Sequence, residues 1–300
     1  MKKELTIGDS VFNELWLRVN GVSIHLVEGG SGRPLILLHG WPGFWRDWEK
    51  VLPPLSRDFR VIAPDLRGFG LSDKPENPDE YTLEHYARDL ECMLDMLGIE
   101  RGVFGGFDVG STVASYFAAN NVGRVEGLVL LNPSYPGLGK KRLEERYAPE
   151  NWYQHFHLLE MAERLVGYNR DTLRIYLTYF YRHWAFRGEA FTDGDIEGYV
   201  DVFYNNNGVR GGFNWYRARV KTRYTDWLKR KITTPTLILW SDRDPIFPLE
   251  WSSGVREYYP NSELRIIREC GHFIPREKPD EFIQHTREFF LKALKTSHAP

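Results

Sequence analysis

Cysteine is scarce in this chain. Cys92 and Cys270 are its only two in 300 residues, and they form neither a disulfide framework nor a metal-ligand spacing. Each reads as a small buried hydrophobe. Runs of like charge are missing as well. The 39 basic residues nearly cancel the 41 acidic ones, and no block of either sign marks a nucleic-acid groove or a membrane patch. No stretch approaches the ~18 apolar residues of a membrane span, and the amino terminus, MKKELTIGDSVFNELW, has two lysines with no apolar segment behind them. These absences lead us to expect a soluble, cytoplasmic protein, monomer or homodimer, that binds neither nucleic acid nor membrane. Its partner is expected to be small and roughly neutral.

What is present is enough apolar residue, 42%, to bury a full core, in one large domain or a domain carrying an insertion. Up to about residue 135, short apolar strands alternate with helical segments: Leu35–Leu38, Arg60–Ala63, Val103–Phe104 and Leu128–Leu131 are strands of a largely parallel sheet. Between them Thr82 precedes a helix whose Leu83, Tyr86, Ala87, Leu90, Leu94 and Leu97 share one face, and Gly98 stops it. From 136 to 231 the chain turns to long, aromatic-rich helical stretches without a strand pattern, an inserted helical unit. Strands resume at Thr236–Trp240 and Leu264–Ile267, and an amphipathic helix from Pro279 to Leu294 closes the chain. The expected domains are therefore a core, 1–135 with 232–300, and a helical cap, 136–231.

Open parallel sheets bind ligands at the carboxyl ends of their strands. His39-Gly40-Trp41-Pro42, Asp108, Asp244 and His272 each fall just past a strand. Gly106-Phe107-Asp108-Val109-Gly110 places a carboxylate between glycines where a strand hands over to a helix, the G-x-Nu-x-G pattern of a nucleophile elbow, in which flanking side chains would collide with the neighbouring strand and helix. No G-x-S-x-G competes with it, because Gly70-Leu71-Ser72 and Gly29-Gly30-Ser31 lack the closing glycine. The order nucleophile, acid, histidine fits an activated nucleophile with an oriented base. A carboxylate that attacks an sp3 carbon forms an alkyl ester, which a base-activated water then hydrolyses. Strained or activated C–O and C–halogen bonds are the substrates this chemistry suits.

Taken together, HGWPGFW (39–45), DLRGFGLSDKP (65–75), GGFDVG (105–110), WYQHFH (152–157), GGFNWYRA (211–218), DRDPIF (242–247) and ECGHF (269–273) resemble the α/β-hydrolase superfamily, and within it the soluble epoxide hydrolases. The resemblance implies an α/β-hydrolase fold, with a mostly parallel eight-stranded sheet flanked by helices and an inserted all-helical cap. It implies that Asp108 opens an epoxide while Tyr153 and Tyr216 of the cap bind and protonate the ring oxygen, a role that suits a neutral phenol. His272, oriented by Asp244, then activates water, and the N–H groups of Trp41 and Val109 receive the oxyanion. A cis Trp41–Pro42 bond would turn the Trp41 amide toward the site. Phe107, His183 and Trp184 are expected to touch the substrate, and His183 is an alternative acid to one of the tyrosines. The family usually has His where this chain has Phe107. No metal or cofactor is called for.

Other readings stand beside these. Asp108 could be a helix N-cap, Asp242 rivals Asp244, and the aromatic cap suggests an apolar pocket for aryl or alkyl epoxides. His155 and His157 lack a third ligand and read as packing or pocket lining. A dehalogenase would use the same ester chemistry, although its haloalkane form usually carries Trp, and its haloacetate form Arg, where this chain has Val109. A non-catalytic scaffold would have lost one of Asp108, Asp244 or His272, and all three are present.

Overall fold

A computed structural model describes residues 2–136, 138–142, 144–221 and 230–296. Nine strands form one sheet in the order β1-β2-β3-β5-β4-β6-β7-β8-β9: β1 Lys2–Ile7, β2 Ser10–Val19, β3 Val22–Gly29, β4 Arg33–Leu38, β5 Phe59–Pro64, β6 Gly102–Phe107, β7 Val125–Leu131, β8 Thr236–Ser241 and β9 Ser262–Ile267. The first three pair antiparallel, β3 pairs antiparallel with β5, and the six strands from β5 to β9 are parallel. The expected eight strands are thus exceeded by one. The additional member is found within the amino-terminal meander, where mostly exposed β1 forms the sheet edge.

Burial explains which strands were easy to read. β6 and β8 are buried at every position, as parallel strands covered on both faces must be. In β2 buried residues alternate irregularly with exposed ones, so it carries no continuous apolar run.

The helices, in chain order, are α1 Leu52–Ser56, α2 Leu83–Met96, α3 Val109–Asn120, α4 Leu138–Lys141, α5 Ala148–Phe156, α6 Glu160–Val166, α7 Arg170–His183, α8 Asp193–Asn205, α9 Gly208–Lys221, α10 Ile274–Glu277 and α11 Pro279–Thr296. α2 buries Tyr86, Leu90, Met93 and Leu94 on one face, and Gly98 follows with φ 65°, the left-handed conformation that ends a helix. Thr82 occupies the N-cap position, yet its hydroxyl meets the His85 ring at 3.0 Å instead of a backbone N–H. Asn169 with Thr172 and Thr192 with Asp195 close reciprocal capping boxes at the starts of α7 and α8.

Helices α4 to α9 lie between β7 and β8, with no strand among the described residues there. They pack onto the carboxyl ends of the parallel strands through contacts with no room to spare. A Cβ on Gly211 would stand 1.7 Å from the Gly68 carbonyl oxygen, and one on Gly212 would stand 2.7 Å from Trp41 Nε1. Tyr199 donates to Asp47 Oδ1 at 2.8 Å and Tyr181 to the Pro42 carbonyl at 2.5 Å across the same boundary. Among the described residues no helix is long and apolar enough to cross a membrane.

Candidate active site

The sheet reverses its winding between β4 and β6, the place where open parallel sheets leave a crevice. β6 ends at Phe107, and Asp108 follows in a conformation few L-residues adopt, φ 49° and ψ −111°. α3 then starts at Val109. The two flanking glycines leave no alternative here. A Cβ on Gly106 would lie 2.6 Å from the Gly110 carbonyl oxygen, and one on Gly110 would lie 2.0 Å from that of Leu38. Strain of this kind persists only where the surroundings enforce it. Asp108 sits at the N-cap position of α3, but its side chain caps nothing. The carboxylate instead turns toward the crevice.

Two groups, the Trp41 N–H and His272, face it there. The Trp41 N–H donates to Asp108 Oδ1 at 2.9 Å. The Trp41–Pro42 bond is cis. The Val109 N–H belongs to the first turn of α3, where backbone donors have no intrahelical acceptor. His272 Nε2 stands 3.9 Å from Asp108 Oδ2, beyond hydrogen-bond reach, and has no other protein partner. The loop carrying Trp41 is fixed from below by His39. Its Nε2 accepts from the Leu66 N–H at 3.0 Å, so Nδ1 carries the proton and donates to the Gly40 carbonyl at 2.8 Å. Burial holds this imidazole below its ordinary pKa, consistent with the neutral tautomer.

On the far side of His272, Nδ1 meets Asp244 Oδ2 at 2.8 Å, with both side chains fully buried. Asp244 Oδ1 accepts the N–H groups of Ile246 and Phe247 at 2.9 and 3.1 Å, and Asn132 donates to Oδ2 at 2.7 Å. Asn132, just past β7 with φ 43°, had no motif to announce it. Burial lowers the pKa of His272, but the charges of Asp244 and then Asp108 outweigh it and hold the ring above its ordinary value. Asp242, the rival acid, instead faces the Cys270 N–H at 3.4 Å and the guanidinium of Arg268 at 3.8 Å. Phe107 is buried with its ring 4.8 Å from that of His272, so the place usually held by a polar ring packs one face of the base.

Above the carboxylate, Tyr153 of α5 and Tyr216 of α9 are both buried, with ring centroids 5.7 Å apart and nearly perpendicular. The Trp41 indole lies flat on Tyr153, 5.3 Å away at an interplanar angle of 4°, and edge-on to Tyr216. Gln154 Nε2 donates to the Tyr153 hydroxyl at 3.2 Å. Burial pushes the Tyr153 phenol up, while the Arg142 charge pulls it back. Asp108, Val109, Tyr153 and Tyr216 line one cavity.

Two sequence expectations fail here. His183 is turned away from this cavity: its side chain is 40% exposed, Nε2 pairs with Glu150 at 2.8 Å, and its ring stacks on Tyr179. The helical period explains this, because Trp184, one position on, faces inward and packs on His272 at 5.1 Å. Trp184 also accepts the His272 N–H through its carbonyl, at 2.8 Å. The cavity itself is not mainly apolar. Eight of its eleven lining residues are polar, among them Arg142, Arg219, Thr112 and Ser134, which no motif singled out. His155 and His157 hold no metal cluster among the described residues; His157 is buried and bonds the Tyr176 hydroxyl at 2.6 Å.

The sequence profile described as the alpha/beta hydrolase fold matches residues 33–279. A soluble epoxide hydrolase from Corynebacterium sp. (strain C12) is 34% identical over 280 residues, covering 91% of this chain and 95% of its own length. The structure of the epoxide hydrolase CorEH without ligand superimposes with a TM-score of 0.81 at 31% identity, covering 94% of this chain and 99% of that one. Wild-type Cfl2 from Burkholderia cenocepacia does so with a TM-score of 0.83 at 32% identity, covering 93% and 96%. Strands, elbow and relatives agree: the chain belongs to the α/β-hydrolase fold family, in the branch of the soluble epoxide hydrolases.

Proposed function

We propose that this enzyme adds water to an epoxide to give a vicinal diol through a covalent ester on Asp108. The observation that carries the reading is the placement of a carboxylate at a strained elbow, with a histidine–aspartate pair on one side and two buried phenols lining the same cavity. Asp108 Oδ attacks a ring carbon and the C–O bond breaks. The oxygen leaves as a developing alkoxide that Tyr153 and Tyr216 hydrogen-bond, and one of them gives it a proton. A phenol raised by burial is fully protonated at neutral pH and remains acidic enough for an alkoxide. Neutral His272 then removes a proton from water, which adds to the Asp108 ester carbonyl. The oxyanion is received by the Trp41 and Val109 amides, and collapse releases diol, carboxylate and a proton that restores the phenol.

The test is one enzyme preparation assayed in parallel for diol from styrene oxide and halide from a short bromoalkane. Diol without halide is expected, and halide without diol would replace this reading with a dehalogenase. Tyr153→Phe and Tyr216→Phe should each slow diol formation about 10- to 100-fold, and the double change should nearly stop it, since each phenol supplies one donor to the departing oxygen. Wild-type rates in both single variants would refute the clamp.

The pH profile follows from the base. His272 works neutral, and its pKa is held above 6.5, so activity should fall as pH drops through a value above 6.5. Asp244→Asn removes the partner that raises it and should move that acid limb to lower pH while lowering the plateau. A limb that stays in place would dissociate Asp244 from the base.

A further inference from the structure

Among the described residues, the cavity lining holds two guanidiniums that the reaction does not use. Arg142, just after α4, lines the same space as Asp108 and Tyr153, and its guanidinium lies 4.5 Å from the Phe247 ring centroid. It makes no ion pair with any carboxylate among the described residues, and its Nε is buried without a hydrogen-bond partner. Asp108 does not serve it, since that carboxylate is taken by the Trp41 N–H and faces His272. A second guanidinium, Arg219, stands over the Trp215 ring at 4.9 Å in the same lining. Arg142 is half-buried, and its Nε is out of water with no acceptor among the described residues, a cost that a neutral epoxide cannot offset.

Building on the epoxide hydrolase reading, we propose that the substrate is a small epoxide carrying a carboxylate beside the ring, an oxirane carboxylate, which Arg142 binds while Asp108 attacks. The planar guanidinium fork fits a carboxylate's two oxygens, and this contact would orient the ring toward the phenols. The polarity of the lining agrees with a charged substrate better than with an aryl epoxide. The charge also stays balanced along the reaction. When Asp108 becomes a neutral ester, the substrate's own carboxylate remains as the counter-ion of Arg142.

The experiment compares glycidate with 1,2-epoxypropane, which has a methyl group in place of the carboxylate, and includes styrene oxide as a neutral reference. Wild-type enzyme should favour glycidate over epoxypropane by about 30-fold or more in kcat/KM, a charge-assisted contact being present for one and absent for the other. Arg142→Leu should collapse that ratio by a similar factor, and Arg142→Lys should keep part of it, having the charge without the fork. Independently of any variant, raising ionic strength from about 0.05 to about 0.5 M should depress kcat/KM for glycidate more than for epoxypropane. A ratio near one in the wild type, or a ratio that Arg142→Leu leaves unchanged, would overturn the assignment. Diol from the neutral epoxides with glycidate no better would sink the substrate class and leave the hydrolase standing. No diol from any of the three would sink both.

Discussion

Replacing Asp108 with asparagine should lower diol formation by about 10^4-fold or more, because an amide offers no nucleophilic oxygen of comparable strength and the remaining groups act as a unit with it. The fold should survive. Asn is nearly isosteric, it tolerates positive φ better than most residues, and its side-chain oxygen can still accept from the Trp41 N–H. Circular dichroism and thermal melting should therefore match the parent while activity is absent. Isotope labelling separates this mechanism from direct attack by water. In a single turnover of wild-type enzyme in 18O-water, the first diol should carry no label and the label should appear in the peptide containing Asp108. Labelled diol in that first turnover would refute the ester.

His272→Gln should act on the second half of the reaction alone. Without a base the water cannot be deprotonated, so ring opening proceeds and the ester accumulates. Intact mass spectrometry should show the protein heavier by one whole substrate molecule, since epoxide opening is an addition and nothing leaves. Displacement of a halide would instead add the alkyl group only. Turnover should fall about 10^3-fold or more while a burst of one equivalent remains visible. Absence of any adduct, with the variant folded, would remove the covalent mechanism.

Much of this arrangement was legible along the chain, for physical reasons that differ from residue to residue. The elbow was readable because two glycines must flank a residue in a strained turn, and a Cβ on Gly106 or Gly110 would collide with backbone atoms. The buried parallel strands were readable as unbroken apolar runs. The meander was not, because β1 is mostly exposed and β2 contributes its buried residues irregularly. The His183 expectation failed because adjacency in sequence says nothing of which side of a helix faces inward; the next residue, Trp184, is the one that reaches His272. Asn132 and Arg142 were invisible for a deeper reason. Each gains its meaning only from a neighbour over 100 residues away, Asp244 for one and Phe247 for the other, and no local spacing encodes such a meeting.

Trp41 belongs to two assemblies at once. Its backbone holds the nucleophile, while its indole is wedged among Tyr153, His157, Phe180, Trp184 and Tyr216 of the inserted helices. Lifting those helices would strip the indole of its neighbours and loosen the very amide that braces Asp108. The charged centre is thereby interlocked with its cover, so that an open molecule is also a disarmed one.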